Sequence, residues 1–117
     1  MHDFTRLTAW KRAIDLAEEV YSCTTAFPTS EKFGLIRQTR QAASSVPANI
    51  AEGSGRRTPG EFRQFLSNAL GSATELSSHL VLAGRLRLAD PSLIGELEAR
   101  VIEVRRLIVS LMKSLDV

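Results

Sequence analysis

Apolar residues recur at intervals of three and four along most of the chain, the period of a helix face and not of a strand. Leu7, Trp10, Ile14, Ala17, Tyr21 and Thr24 make a first stripe. Phe62, Phe65, Ala69, Ala73, Leu76, Leu80 and Ala83 make another, and Leu93, Leu97, Val101, Val104, Ile108, Leu111 and Leu115 make the most regular one. No segment alternates apolar and polar residues over the length of a strand. Neither Asn-Gly nor Asp-Gly occurs, so hairpin turns have no signal either.

The breaks between stripes carry helix punctuation. Pro28 separates the first two helical segments, and Thr29 or Ser30 is placed to cap the second. Thr58-Pro59-Gly60-Glu61 combines a capping threonine, a proline at the first helical position and a capping-box glutamate. Asp90-Pro91 repeats the cap-plus-proline device, and Gly53-Ser54-Gly55 closes the second segment. These signals predict helices near 8–26, 30–53, 59–87 and 91–115, roughly 28 to 44 Å long at 1.5 Å per residue. Connections of a few residues require neighbouring helices to run antiparallel. The expected fold is all-α, an up-down-up-down antiparallel four-helix bundle forming one domain over residues 1–117.

Length and composition are consistent with this. The 117 residues, 44% hydrophobic and 24% charged, suit one domain with a single core and are too few for two. No apolar run reaches the ~20 residues of a membrane span, so no membrane association is expected. The first residues lack the apolar stretch of an export signal, and the expected location is cytoplasmic. Cys23 is the single cysteine, which excludes an intrachain disulfide and a multi-cysteine metal cluster. A lone helical cysteine is expected to pack as a small apolar residue.

Charge is unevenly spread. Residues 32–63 hold Lys32, Arg37, Arg40, Arg56, Arg57 and Arg63 against Glu52 and Glu61 alone. Arginine, the residue suited to bidentate phosphate and carboxylate recognition, greatly outnumbers lysine. Arg56 and Arg57 follow Gly55 in a turn, with Arg63 further into the next helix. Together with Arg37 they are the candidate phosphate contacts, the plainer reading being a solvated loop.

A second set of polar residues lies on helical spacing. Gln38, Ser45, Asn49 and Glu52 share one side of the second helix, and Ser72, Glu75 and His79 share one side of the third. If the two faces meet, Arg40 is a natural partner for Glu75 or Glu52, and the group forms a structural polar network. The carboxylates are alternatively candidates for acid–base chemistry, but no nucleophile–base pair, phosphate loop or metal motif accompanies them. His79 follows Glu75 by four residues without the repeated Glu-x-x-His of a bundle metal site, so no metal and no cofactor is expected. Asn49 is expected to bond near the end of the second helix or across to the third. Gly71 and Ser72 are expected at a close helix–helix approach. Pro47 is expected to kink the second helix, with Ser44 and Ser45 covering the freed backbone groups. Ile94, Ile102, Val109 and Met112 form a second apolar edge on the last helix, wider than one bundle core needs and therefore an expected subunit contact, with Trp10 and Phe4 as possible additions.

Several of these residues carry a family resemblance. Trp10, Ala13, Tyr21, Phe27-Pro28, Glu31, Phe33-Gly34-Leu35, Gln38 and Arg40-Gln41-Ala42-Ala43 lead into Ser45-Val46-Pro47-Ala48-Asn49-Ile50-Ala51-Glu52-Gly53. Gly55-Arg56, Glu61-Phe62, Phe65-Leu66, Gly71-Ser72 and Glu75-Leu76 come after them. Over roughly residues 4–88 the chain resembles the four-helix-bundle family of 23S rRNA intervening-sequence proteins. It departs at Gln41, where the family often has a basic residue. The resemblance implies an antiparallel bundle assembling into a ring, typically a homopentamer. It also implies kinship with the accessory variability determinant proteins of diversity-generating retroelements, which work with a reverse transcriptase and RNA. The resulting expectation is a non-enzymatic, oligomeric bundle that binds RNA or DNA through arginines. The alternative is a protein–protein scaffold with no nucleic-acid role.

Overall fold

Four helices make up most of the computed structural model, which describes residues 3–115 (for 32 and 33, the backbone alone). They are α1 (Thr8–Thr25), α2 (Arg37–Ser54), α3 (Pro59–Arg85) and α4 (Pro91–Ser114), and no strand occurs among the described residues. Each helix packs on its neighbours in chain order and α4 closes back on α1, leaving α1 and α3 diagonal. The result is an antiparallel four-helix bundle measuring 46 × 24 × 20 Å. Its core is filled by Leu16, Val46, Ile50, Leu66, Leu76, Leu80, Leu97 and Ile108, all but closed to solvent.

The capping devices hold the helix starts. Thr58 is extended, and its Oγ1 accepts the Glu61 N–H at 3.1 Å. The box is half closed, because the Glu61 carboxylate accepts from the Thr58 hydroxyl at 3.2 Å. At α4, Asp90 Oδ1 accepts the Ser92 N–H at 2.9 Å. Caps of this kind contribute about 1 kcal/mol each. At the other end of α3, Arg87 takes the left-handed conformation at φ 58°. Its N–H bonds the Gly84 carbonyl at 3.1 Å, and the Leu88 N–H reaches back to Ala83 at 3.0 Å, which satisfies the final carbonyls.

The second helix begins later than its pattern predicts. Thr29–Glu31 form a 3₁₀ turn and Lys32–Ile36 a wide π-type turn, inside which Gly34 leaves helical geometry at φ −102°, ψ −105°. Neither Thr29 nor Ser30 caps α2, which grows directly out of this turn without a side-chain cap. Pro28 and Gly34 interrupt the backbone ladder twice within one short stretch.

α1 is also rotated relative to its predicted stripe. Its inward face is Ala9, Ala13, Leu16, Ala17, Val20, Cys23 and Thr24, while Trp10 and Ile14 are half-buried and Tyr21 is 42% exposed. Ala9, Ala13 and Ala17 occupy three of these inward positions beside Leu16 and Val20, and Trp10 and Tyr21 are left at the edge of the helix.

The closest helix approach is not at Gly71. That residue is exposed, and a Cβ there would meet nothing within 4 Å. Gly53 has that role: a Cβ there would lie 2.7 Å from Phe65 Cβ and 2.9 Å from Phe62 Cδ1. Only hydrogen fits between the end of α2 and the start of α3. Pro47 is buried within α2, which runs past it to Ser54. Ser44 and Ser45 are engaged elsewhere, Ser44 Oγ donating to the Gln41 carbonyl at 3.2 Å and Ser45 reaching Ser72.

Candidate nucleic-acid interface

The end of α2 packs on the start of α3 through Gly53 and Phe62, and Arg63 of α3 reaches the last residues of α4. Leu7 and Thr8 share a surface depression with Leu111 and Ser114. One end of the bundle therefore gathers the start of α1, the α2–α3 turn and the finish of α4. Arg6, Arg56, Arg57, Arg63 and Lys113 all belong to it, opposed by Asp3, Glu52 and Glu61.

The four arginines expected as phosphate contacts are not equivalent here. Arg57 is exposed and makes no hydrogen bond or ion pair among the described residues. Arg56 Nη2 lies 2.6 Å from Glu52 Oε1, and its guanidinium stands 4.6 Å from the centre of the Phe65 ring. That seat orients Arg56 while leaving it at the surface. Arg63 is half-buried and donates from Nη1 to the Leu115 carbonyl at 2.8 Å, so it anchors the end of α4 instead of extending outward beside Arg57. Arg37 opens α2, an 18-residue helix, and is thus roughly 27 Å from the Arg56–Arg57 turn at the opposite end of the bundle. The side chain of Lys32 lies outside the described residues.

The polar residues of α2 and α3 meet at one point. Ser45 Oγ and Ser72 Oγ share a hydrogen bond of 2.9 Å across the α2–α3 seam. Asn49 donates from Nδ2 back along its own helix to the Ser45 carbonyl at 2.9 Å and Ser45 Oγ at 3.1 Å, so it supports the crossing without making it. Gln38 is exposed. Glu75 pairs with His79 at 3.2 Å. Arg40 engages neither Glu52 nor Glu75. It turns to α1, where Nε donates to Thr24 Oγ1 at 2.7 Å, Nη2 donates to the Tyr21 carbonyl at 3.3 Å, and the guanidinium covers the Tyr21 ring at 4.9 Å. Helical spacing placed Arg40 among the polar residues, but its position on α2 faces the α1 seam.

Glu52 and Glu75 are exposed, each beside a partner on its own helix. Such carboxylates lack the desolvated setting that tunes a general acid or base. Cys23 is buried, and burial raises its thiol pKa above the ordinary 9.0, the opposite of an activated thiolate.

The expected apolar edge of α4 divides. Ile94 is only 5% exposed and packs against the Gly84 position, so it belongs to the core and not to a subunit contact. Met112 is partly buried against the core, while Ile102 and Val109 are 48% and 38% exposed. These two, with Leu70 of α3, floor a groove of about 480 Å³ rimmed by Arg105, Arg106 and Lys113. Those three cations make no ion pair among the described residues. Sequence pattern did not single out this rim, although Ile102, Arg106, Val109 and Lys113 share the spacing of one helix face.

A family model described as 23S rRNA-intervening sequence protein matches residues 5–110. Among solved structures, a protein of unknown function from the S23 ribosomal protein family of Bacteroides thetaiotaomicron is similar, with a TM-score of 0.81 at 21% identity. The likeness covers 91% of this chain and 99% of that one, and at this identity it shows the shared fold. No curated protein is significantly similar to the chain in sequence.

Proposed function

The chain belongs to the family of 23S rRNA-intervening sequence proteins, and from that premise we infer that it is a non-enzymatic, self-associating bundle that contacts RNA phosphates. The observation that carries this reading is the α2–α3 turn. There Arg57 is unpaired and exposed among the described residues, and Arg56 is held at the surface by Glu52 and Phe65. Arg6 stands at the same end. One copy offers only a few phosphate contacts. Assembly multiplies them, because a bound strand that leaves one copy is held near the next. A closed, pentameric ring and a reverse transcriptase as partner are further parts of this reading, supported by the resemblance in sequence.

The second reading, a scaffold for another protein, is favoured by the apolar α3–α4 groove. Binding of a short fluorescein-labelled single-stranded RNA separates the two. Affinity is expected to fall steeply with salt. Arg56→Ala with Arg57→Ala is expected to weaken binding and flatten the slope by about one for each phosphate interaction removed. An unchanged affinity and slope in the double variant, with its helix content and melting intact, contradicts the assignment of the turn. No binding by the wild type at low salt favours the scaffold.

A further inference from the structure

Two surfaces of this bundle match each other in spacing and oppose each other in charge. On α1, Ile14, Glu18 and Tyr21 lie at i, i+4 and i+7, an apolar–acidic–apolar stripe with Asp15 beside it. On α4, Ile102, Arg106 and Val109 lie at the same spacing, an apolar–basic–apolar stripe with Arg105 and Lys113 beside it. Asp15 and Glu18 make no ion pair among the described residues, and the same holds for the three cations. Of the other anions on these helices, Glu19 pairs with Arg100 at 2.9 Å and Glu103 with Arg12 at 3.5 Å, while Glu96 and Glu98 lie towards the start of α4, away from Arg105, Arg106 and Lys113. Lys11, one turn before Asp15, lies on the same face of α1 and tempers its charge, but the α1 stripe keeps a net negative charge against the wholly basic stripe of α4.

Their placement excludes an encounter within one molecule. Tyr21 lies under Arg40, so the α1 stripe borders the α1–α2 seam, while the basic stripe borders the groove between α3 and α4. α1 and α3 are diagonal in the bundle, so the two stripes look out from opposite sides. We propose that the Ile14–Glu18–Tyr21 edge of α1 docks into the α3–α4 groove of a second copy of this chain. The groove supplies apolar anchors two helical turns apart, about 10 Å, and the edge supplies apolar side chains at the same interval. Glu18 and Asp15 then face Arg105, Arg106 and Lys113, which sets the register and rejects groove-to-groove contact by like-charge repulsion. Because the two surfaces differ, the contact is head-to-tail, and repeating it generates a ring or an open chain instead of a two-fold dimer.

This docking mode rests on the self-association in the proposed function, and charge exchange distinguishes the two. Sedimentation velocity at micromolar to hundred-micromolar concentration is expected to show the wild type assembled. Asp15→Arg with Glu18→Arg, and separately Arg105→Glu with Arg106→Glu, are each expected to sediment as the single 12.9 kDa chain. All four substitutions in one chain restore complementarity and are expected to restore assembly. Circular dichroism melting establishes that each variant is folded. Assembly that persists in either reversed pair, or fails to return in the fourfold variant, overturns the docking mode and leaves self-association standing. A monomeric wild type overturns both. Should a reversed variant not fold, Tyr21→Cys mixed with Val109→Cys provides the second test. An intermolecular disulfide specific to the mixture is expected, and its absence overturns the proposal.

Discussion

Gly53 and Gly71 show how differently two helical glycines act. A methyl group at Gly53 would meet the Cβ of Phe65 and the ring of Phe62 inside contact distance, whereas Gly71 faces open space. Gly53→Ala is therefore expected to lower stability by about 1–3 kcal/mol, the usual cost of overpacking. Gly71→Ala is expected to raise it by roughly 0.5–1 kcal/mol, since alanine removes chain entropy and strains nothing. Denaturant midpoints of the two variants check both signs. The sequence contains both glycines in similar helical settings, and small size alone pointed to Gly71. What separates them is which neighbour crosses overhead, a fact of three-dimensional packing that local spacing does not encode. The same limit applies to Arg40. Its charge was legible, but its partners, Thr24 and the Tyr21 carbonyl, lie on another helix and are not the carboxylates that charge matching suggested.

At the level of elements, legibility depended on the chemistry of the ends. Thr58 and Asp90 were readable as caps because each bonds a backbone N–H two or three residues ahead, an interaction contained within a short stretch of sequence. The start of α2 was not, because Pro28 and Gly34 divide the turn between them and tertiary packing decides where regular helix resumes. On α1, the stripe of large residues misled, since an alanine face can pack closer than a tryptophan–tyrosine face. The end of α3 yields a direct prediction. Arg87 occupies a left-handed position that glycine adopts without penalty. Arg87→Gly is expected to stabilise the fold by about 1 kcal/mol, read as a rise in thermal midpoint. A decrease would mean that the Arg87 side chain contributes more than its backbone costs.

For the molecule as a whole, the four helices and their antiparallel order were legible because periodicity and short connections leave few alternatives. The distribution of function was less so. Arg37, Arg56, Arg57 and Arg63 are neighbours in charge and sequence, yet α2 separates Arg37 from the turn and α4 engages Arg63. Two arginines remain at the α2–α3 turn as the proposed phosphate contact, and the exposed edges of the bundle become the proposed means of repeating it. The claim that assembly and RNA contact are coupled is tested most directly by the slope of RNA affinity against salt, measured for the wild type and for Ile102→Asp under the same conditions. Ile102→Asp puts a carboxylate into the α3–α4 groove while leaving Arg56 and Arg57 untouched. The account predicts a steep slope for the assembled wild type and weaker binding with a distinctly shallower slope for the dissociated variant. Equal slopes and affinities for an assembled wild type and a monomeric Ile102→Asp would contradict it.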